Sequence, residues 1–246
     1  VYEELSVTLA TDEIHELTQH AREPYRALLR PLRDAVRAQR EQLGLYLRDA
    51  SPTQPVPLNT RDIQDPLMQC QQSLIDVGLT TIANGKLLDL IRKLETFGTH
   101  LVTMDIRQES TYHSDVMGEV TQALGLGDYR QWPEADKQAF LTKEIDDPRP
   151  LIPIGFECTD ASREVLNTFT VIASAPREAL GCYVISMASE PSDILAVQLL
   201  LKATGGPVDL HVAPLFETLD DLDGAPATIS ALLQDDDYVA RIDNSL

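Results

Sequence analysis

Cys182-Tyr-Val-Ile-Ser-Met-Ala-Ser-Glu-Pro-Ser-Asp-Ile-Leu-Ala-Val-Gln-Leu-Leu-Leu201 is the stretch whose reading decides the fold. Its first six residues form a short apolar run suited to a β-strand, and Pro191-Ser-Asp193 then opens an apolar helix, Ile194–Leu201. Beyond Gly205-Gly206-Pro207 a second strand is predicted, Val208-Asp-Leu-His-Val212, with a helix after Asp220. A strand that leads through a helix to another strand implies parallel pairing with right-handed crossovers. In such units the strand's end opens onto the face where loops and helix N-termini converge, so chemistry is sought there.

Working upstream, Leu101-Val-Thr-Met-Asp-Ile106 reads as a short buried strand bounded by Gly98. A helix near Ser114–Leu124 follows and ends at Gly125-Leu-Gly127, as a left-handed cap would end it. Trp132-Pro-Glu begins another helix running to Glu144, a Pro-rich stretch covers Pro148–Pro153, and Ala161–Ala173 is helical again. The class is therefore α/β and mostly helical, with about three parallel strands. Three strands are too few for an eight-stranded barrel, and the chain reads as an arc of something larger.

The N-terminal portion carries no strand pattern. From Thr11 to Asp49, Tyr25, Leu28, Leu29, Leu32, Val36 and Leu43 recur near every third or fourth residue. Arg30, Arg33, Arg37 and Arg40 fall mostly on the opposite face, as a solvated surface or an anion site, and Pro24 suits a first helical position. Ser51–Pro57 holds three prolines, and a long loop is expected through Asp65. Helices are predicted over Pro66–Val77 and Ile82–Phe97, with Asn84-Gly85 interrupting the two patterns and capping or opening the second. Residues 1–97 thus form a helical segment and 98–246 a partial α/β barrel segment.

A net charge of −19 over 246 residues repels a phosphate backbone and argues against nucleic acid. No run approaches the ~18 apolar residues of a membrane span, and Val1-Tyr-Glu-Glu has no secretory character, so a cytoplasmic protein is expected. Cys70, Cys158 and Cys182 are widely spaced and are read as reduced core thiols. The absence of Met at position 1 suggests a start inside a longer polypeptide or after processing.

Two charged residues stand where strands give way to polar segments. Glu217 follows the apolar run beginning at Val212, with Asp220, Asp221 and Asp223 behind it. A divalent cation takes one or two such carboxylates plus water and substrate oxygens, whereas acidic residues also favour the first turn of a helix. Residue type alone leaves Glu217 between ligand and cap, and assigns the three aspartates to capping. Arg107 suits bidentate contact with phosphate or carboxylate, or a structural ion pair with Asp105 or Glu109. Ser110, Thr111 and His113 hold a hydroxyl and a base near one another, but no Gly-x-Ser-x-Gly turn accompanies them, and a serine hydrolase is discounted. Ser186–Asp193 is a polar strand end that would line a site or cap a helix.

Asp105-Ile-Arg-Gln-Glu-Ser110, Glu134-Ala-Asp-Lys-Gln-Ala-Phe140, Tyr183-Val-Ile-Ser-Met-Ala188 with Pro191-Ser-Asp193, and Ala213-Pro-Leu-Phe-Glu-Thr-Leu-Asp-Asp-Leu222 occur in one order. Together with Tyr129, Ala83-Asn-Gly85 and Glu23-Pro-Tyr25, they resemble bacterial phosphoenolpyruvate carboxylase over essentially the whole chain. The resemblance implies a portion of a (β/α)8 barrel embedded in helices, from a homotetramer that converts phosphoenolpyruvate and bicarbonate to oxaloacetate and phosphate. It implies that Arg107 contacts substrate and that Glu217 is one of two carboxylates holding Mg²⁺ or Mn²⁺. The family's Thr-Ala-His-Pro-Thr and Gly-Tyr-Ser-Asp segments are not in this sequence, the latter falling shortly beyond Leu246 in the family, and Tyr112 stands where the family usually has Arg. The chain is therefore expected to be a central fragment, inactive alone and binding metal weakly, that self-associates through exposed strand edges. A non-catalytic interaction or regulatory module derived from the enzyme is the alternative.

Overall fold

The computed structural model describes residues 9–48, 58–207 and 209–243. The chain divides into two units, Val1–Val102 and Thr103–Leu246.

The first unit is helical: α1 (Asp12–Leu17), α2 (Pro24–Tyr46), α3 (Thr60–Asp76), α4 (Thr80–Ile82) and α5 (Leu88–Phe97). The apolar residues of α2 fall on one stripe, and Tyr25 and Leu29 join Ile14, Leu67, Cys70, Leu74, Leu87 and Ile91 in its core. Pro24 occupies the first turn of α2, where no N–H is missed. A buried polar knot ties the start of α1 and α2 to α3. Ser73 Oγ on α3 receives the Thr11 amide at 3.0 Å and meets the Tyr25 hydroxyl at 2.9 Å.

Two expectations for this unit are corrected. Residues 60–65 belong to a helix rather than a loop, because Asn59 caps α3 through the Arg61 amide and Pro66 lies inside the helix instead of starting it; residues 51–57 lie outside the described residues. Asn84-Gly85 interrupts the helical pattern as expected, but it neither caps nor opens a helix. It sits in a π-helical turn, Ala83–Leu87, where Gly85 departs from helical geometry (φ −88°, ψ −134°) and joins α4 to α5 through a kink.

The second unit contains β1 (Met104–Glu109), α6 (Ser110–Ala123), α7 (Glu134–Asp146), α8 (Asp160–Ser174), β2 (Leu180–Ser186), α9 (Pro191–Ala203), β3 (His211–Pro214), α10 (Leu219–Leu233) and α11 (Asp236–Asp243). The strands form one parallel sheet in the order β1-β2-β3. This is the partial α/β arrangement expected. Residues Tyr183 and Ile185 of β2 are fully buried, while Cys182, Val184 and Ser186, which alternate with them, are half-buried, so the strand's two-residue period presents one face to the helical core. Because α9 packs against α6, α7, α8, α10 and β3, it tolerates apolar residues around its whole circumference.

Strand boundaries move. The run Leu101-Val102 does not enter β1, since Leu101 adopts φ 71° and both residues are exposed; the strand begins at Met104 and has no fully buried residue. β3 begins at His211, and Leu210 before it donates its amide to Pro207 O instead of joining the strand; Val208 lies outside the described residues. The β1–β2 register slips between Met104 and Ile106, and the Asp105 carboxylate fills the break by accepting the Cys182 amide at 2.9 Å. A Cβ at Gly181 would lie 2.3 Å from Asp105 Oδ1, so a side chain there would push the carboxylate off the Cys182 amide. Helix α6 starts directly at Ser110, four residues earlier than expected, and α7 starts at Glu134 after a 3₁₀ turn. The cysteines are all free, but only Cys70 is buried; Cys158 and Cys182 are half-buried, not core thiols.

Candidate active site at the C-terminal ends of the strands

Parallel pairing aligns Arg107 of β1 with Val184 of β2, and Val184 with Ala213 of β3. Ile106, Tyr183, Ile185 and Val212 pack with the helical core, so alternation puts Arg107, Val184 and Ala213 on the other face. The Leu215 amide donates to Ile185 O at 2.8 Å and carries the pairing one step past β3. Glu217 follows two residues later. Across the end of the central strand, Arg107 Nη2 donates to Glu217 Oε1 at 2.9 Å, joining residues 110 apart in sequence.

This ion pair is not a stability device. The side chains are 58% and 35% exposed, and exposed pairs contribute about 0–1 kcal/mol. Nor does Arg107 pair with the acidic neighbours that flank it. Asp105 accepts the Cys182 amide, and Glu109 accepts the Thr111 hydroxyl at 2.9 Å. Capping is also accounted for without Glu217: Thr218 and Asp221 form a reciprocal capping box at the start of α10. Hydrogen bonds from the Thr218 backbone and side chain hold the Asp221 carboxyl below its usual range. A guanidinium and a carboxylate therefore face one space without a local structural assignment.

The other residues singled out in the sequence separate. Ser110 Oγ donates to Met187 O at 2.8 Å, and Thr111 turns to Glu109, so neither meets His113. His113 lies under the sheet, with Nε2 2.8 Å from the Tyr183 hydroxyl, which donates to Gln108 Oε1 at 2.6 Å. Since that hydroxyl's proton goes to Gln108, His113 Nε2 carries the ring proton, and Nδ1 is left without a partner. Burial pushes His113 down to about 4 and raises Tyr183. This network escaped sequence reading; the signal for it was a histidine on the inner face of α6 opposite an inward tyrosine of β2. Of the polar strand end, Ser192 donates to Glu134 at 2.7 Å, and Asp193 accepts the Ser189 and Glu190 amides as the capping partner of α9. Tyr112 is exposed.

Among the described residues, no group of three or more His, Cys, Asp and Glu is placed to hold a metal, and no helix is long and apolar enough to cross a membrane. Glu217 offers one hard oxygen donor of the type a divalent cation takes alongside water and substrate oxygens.

The family model described as phosphoenolpyruvate carboxylase matches residues 2–246. The chain is 48% identical over 242 residues to the phosphoenolpyruvate carboxylase of Vibrio atlanticus (strain LGP32), covering 98% of this chain and 28% of that protein. It is 47% identical over 243 residues to that of Vibrio parahaemolyticus, again with 98% and 28% coverage. With that of Klebsiella pneumoniae (strain 342) the identity is 48% over 239 residues, covering 96% of this chain and 27% of the relative. The chain thus spans about 28% of the length of the first two of these relatives.

Proposed function

The chain belongs to the phosphoenolpyruvate carboxylase family, and from that premise we propose that it supplies part of the site at which a larger protein carboxylates phosphoenolpyruvate with bicarbonate, releasing oxaloacetate and phosphate. The observation that carries this reading is the Arg107–Glu217 pair at the strand ends. Arg107 is the anion clamp. Its planar fork donates two parallel hydrogen bonds to a phosphoryl or carboxylate group and keeps its charge at any working pH. Glu217 is one of the carboxylates that hold Mg²⁺ or Mn²⁺. When bound, that ion supplies Lewis-acid stabilisation of developing negative charge.

The pair also orients its own members. While Glu217 accepts from Arg107, each side chain is held where its ligand will arrive, and their mutual charge neutralisation keeps an exposed cation and anion from recruiting other partners. Tetrameric assembly and a cytoplasmic setting belong to the same proposal, as does the supply of oxaloacetate to the tricarboxylic acid cycle. A non-catalytic module has the same pair against it, because an exposed ion pair adds little stability.

The test is a graft: this chain replaces the matching segment of the Vibrio atlanticus relative, and oxaloacetate formation is followed. The graft is expected to be active, and Glu217→Gln or Arg107→Ala in it to lower kcat/KM by about 10²–10³. An active graft indifferent to both substitutions removes the two residues from the site.

A further inference from the structure

Met187 is the one non-glycine residue at positive φ among the described residues of the second unit, at φ 55°. A left-handed backbone at a strand-to-helix turn is the natural place for glycine or asparagine, because a Cβ crowds the following carbonyl there. The turn itself does not call for methionine. Ala188, its neighbour, is fully buried, while Met187 is 46% exposed. What holds the strained conformation is a side chain from a different strand end: the buried Ser110 hydroxyl donates to Met187 O at 2.8 Å. Backbone strain of this kind persists where surrounding structure enforces it, and such residues cluster at functional sites.

Its place in the sheet gives the strain a use. Met187 follows Ser186, which pairs with Glu109 at the end of β1, and β2 is the central strand between those that deliver Arg107 and Glu217. We infer that Met187, fixed by Ser110, is an apolar lining of the substrate site between Arg107 and Glu217 and excludes water from it. This rests on the carboxylation proposed above. In that reaction the enolate of pyruvate forms a carbon–carbon bond with carbon dioxide to give oxaloacetate. The competing outcome is transfer of a proton from water to the same carbon, giving pyruvate and leaving hydroxide. An unbranched, polarisable thioether beside an otherwise charged pair shifts that competition by keeping water off the carbon.

The test uses the graft in the Vibrio atlanticus relative, with Met187→Gly, Met187→Asn, Met187→Leu and Ser110→Ala. Glycine and asparagine both accept φ 55°, so a residue with only a turn-forming role would fold as well or better in these variants and keep its activity. The expected result is an unchanged or raised Tm, together with a fall of about tenfold in kcat/KM for oxaloacetate and a several-fold rise in the pyruvate to oxaloacetate ratio. Met187→Leu should restore most of the ratio, and Ser110→Ala should shift it in the direction of the glycine variant. An active graft in which both Met187→Gly and Met187→Asn keep the original rate and product ratio overturns the inference alone. A graft with Met187 intact that forms neither product overturns the carboxylation reading and this inference together.

Discussion

Lowering the pH from 7 to 5 should destabilise the second unit through His113 alone, by about 2 kcal/mol. The ring is fully buried, keeps one hydrogen bond, to Tyr183, and lies edge-on to Phe169 at 6.1 Å, and its folded-state pKa is pushed down to about 4. In the unfolded chain the imidazole titrates near its ordinary value of about 6.5. Between these values the unfolded state binds the extra proton, so the folded state's advantage is complete above pH 6.5 and is lost as the pH falls, levelling off at about 3 kcal/mol below pH 4. Carboxylates also titrate in this range, and a matched variant cancels them. His113→Gln keeps an amide donor for Tyr183 and cannot be charged. The assay is urea unfolding at pH 7 and pH 5, read by the fluorescence of Trp132, the single tryptophan, which packs between Tyr129 and Phe140 in this unit's core. The native protein should lose about 2 kcal/mol more than the variant over that interval. Parallel losses in the two proteins would refute the reasoning.

Native-state thiol labelling should modify Cys158 and Cys182 while sparing Cys70, whose thiol is buried and pushed up to about 12; modification of all three at one rate would contradict the placement of Cys70. Phe169→Ala should cost about 3–5 kcal/mol, because the ring is fully buried and stacks on Tyr183 at 5.3 Å; a midpoint shift worth under about 1 kcal/mol would mean that the core repacks around the gap. A double-mutant cycle on Arg107 and Glu217 in the chain by itself should return about 0.2–1 kcal/mol of coupling, and a much larger value would make the pair structural. The 246-residue chain assayed by itself should form no oxaloacetate, since its sequence lacks the Thr-Ala-His-Pro-Thr and Gly-Tyr-Ser-Asp segments; product formation would show that its own residues suffice.

Local patterns made much of this legible. The alternation of Tyr183 and Ile185 against Val184 and Ser186 marks a strand with one buried face, and the uninterrupted apolar residues of α9 mark a helix enclosed by others. Glu217 was visible because a strand ended before it. What misled was hydrophobicity without geometry. Leu101 and Val102 read as strand interior, yet the left-handed turn at Leu101 delays the strand to Met104, so Arg107 sits within β1 rather than after it. The polar residues up to Asp65 read as loop, and the Asn59 cap upstream starts the helix at Thr60 instead. The meeting of Arg107 with Glu217 was suggested by their matching positions but set by register, through Val184 and Ala213, which no local spacing encodes. The grip of Ser110 on Met187 is likewise a contact between two strand ends and leaves no trace in either segment.

The parallel sheet imposes an order of events on the nascent chain. Gln108 of β1 meets Tyr183 of β2 across 75 residues of sequence, and Cys182 meets His211 across 29. Parallel partners cannot be joined by a tight turn, so β1 leaves the ribosome well before any strand exists to receive it. During that interval Met104 and the unpaired edge beside it are open to other chains. At ~5–20 residues per second the wait lasts seconds, far longer than helix formation takes. An edge left open for that long is exposed to association with other chains, and slowing translation between β1 and β2 should lower the soluble yield.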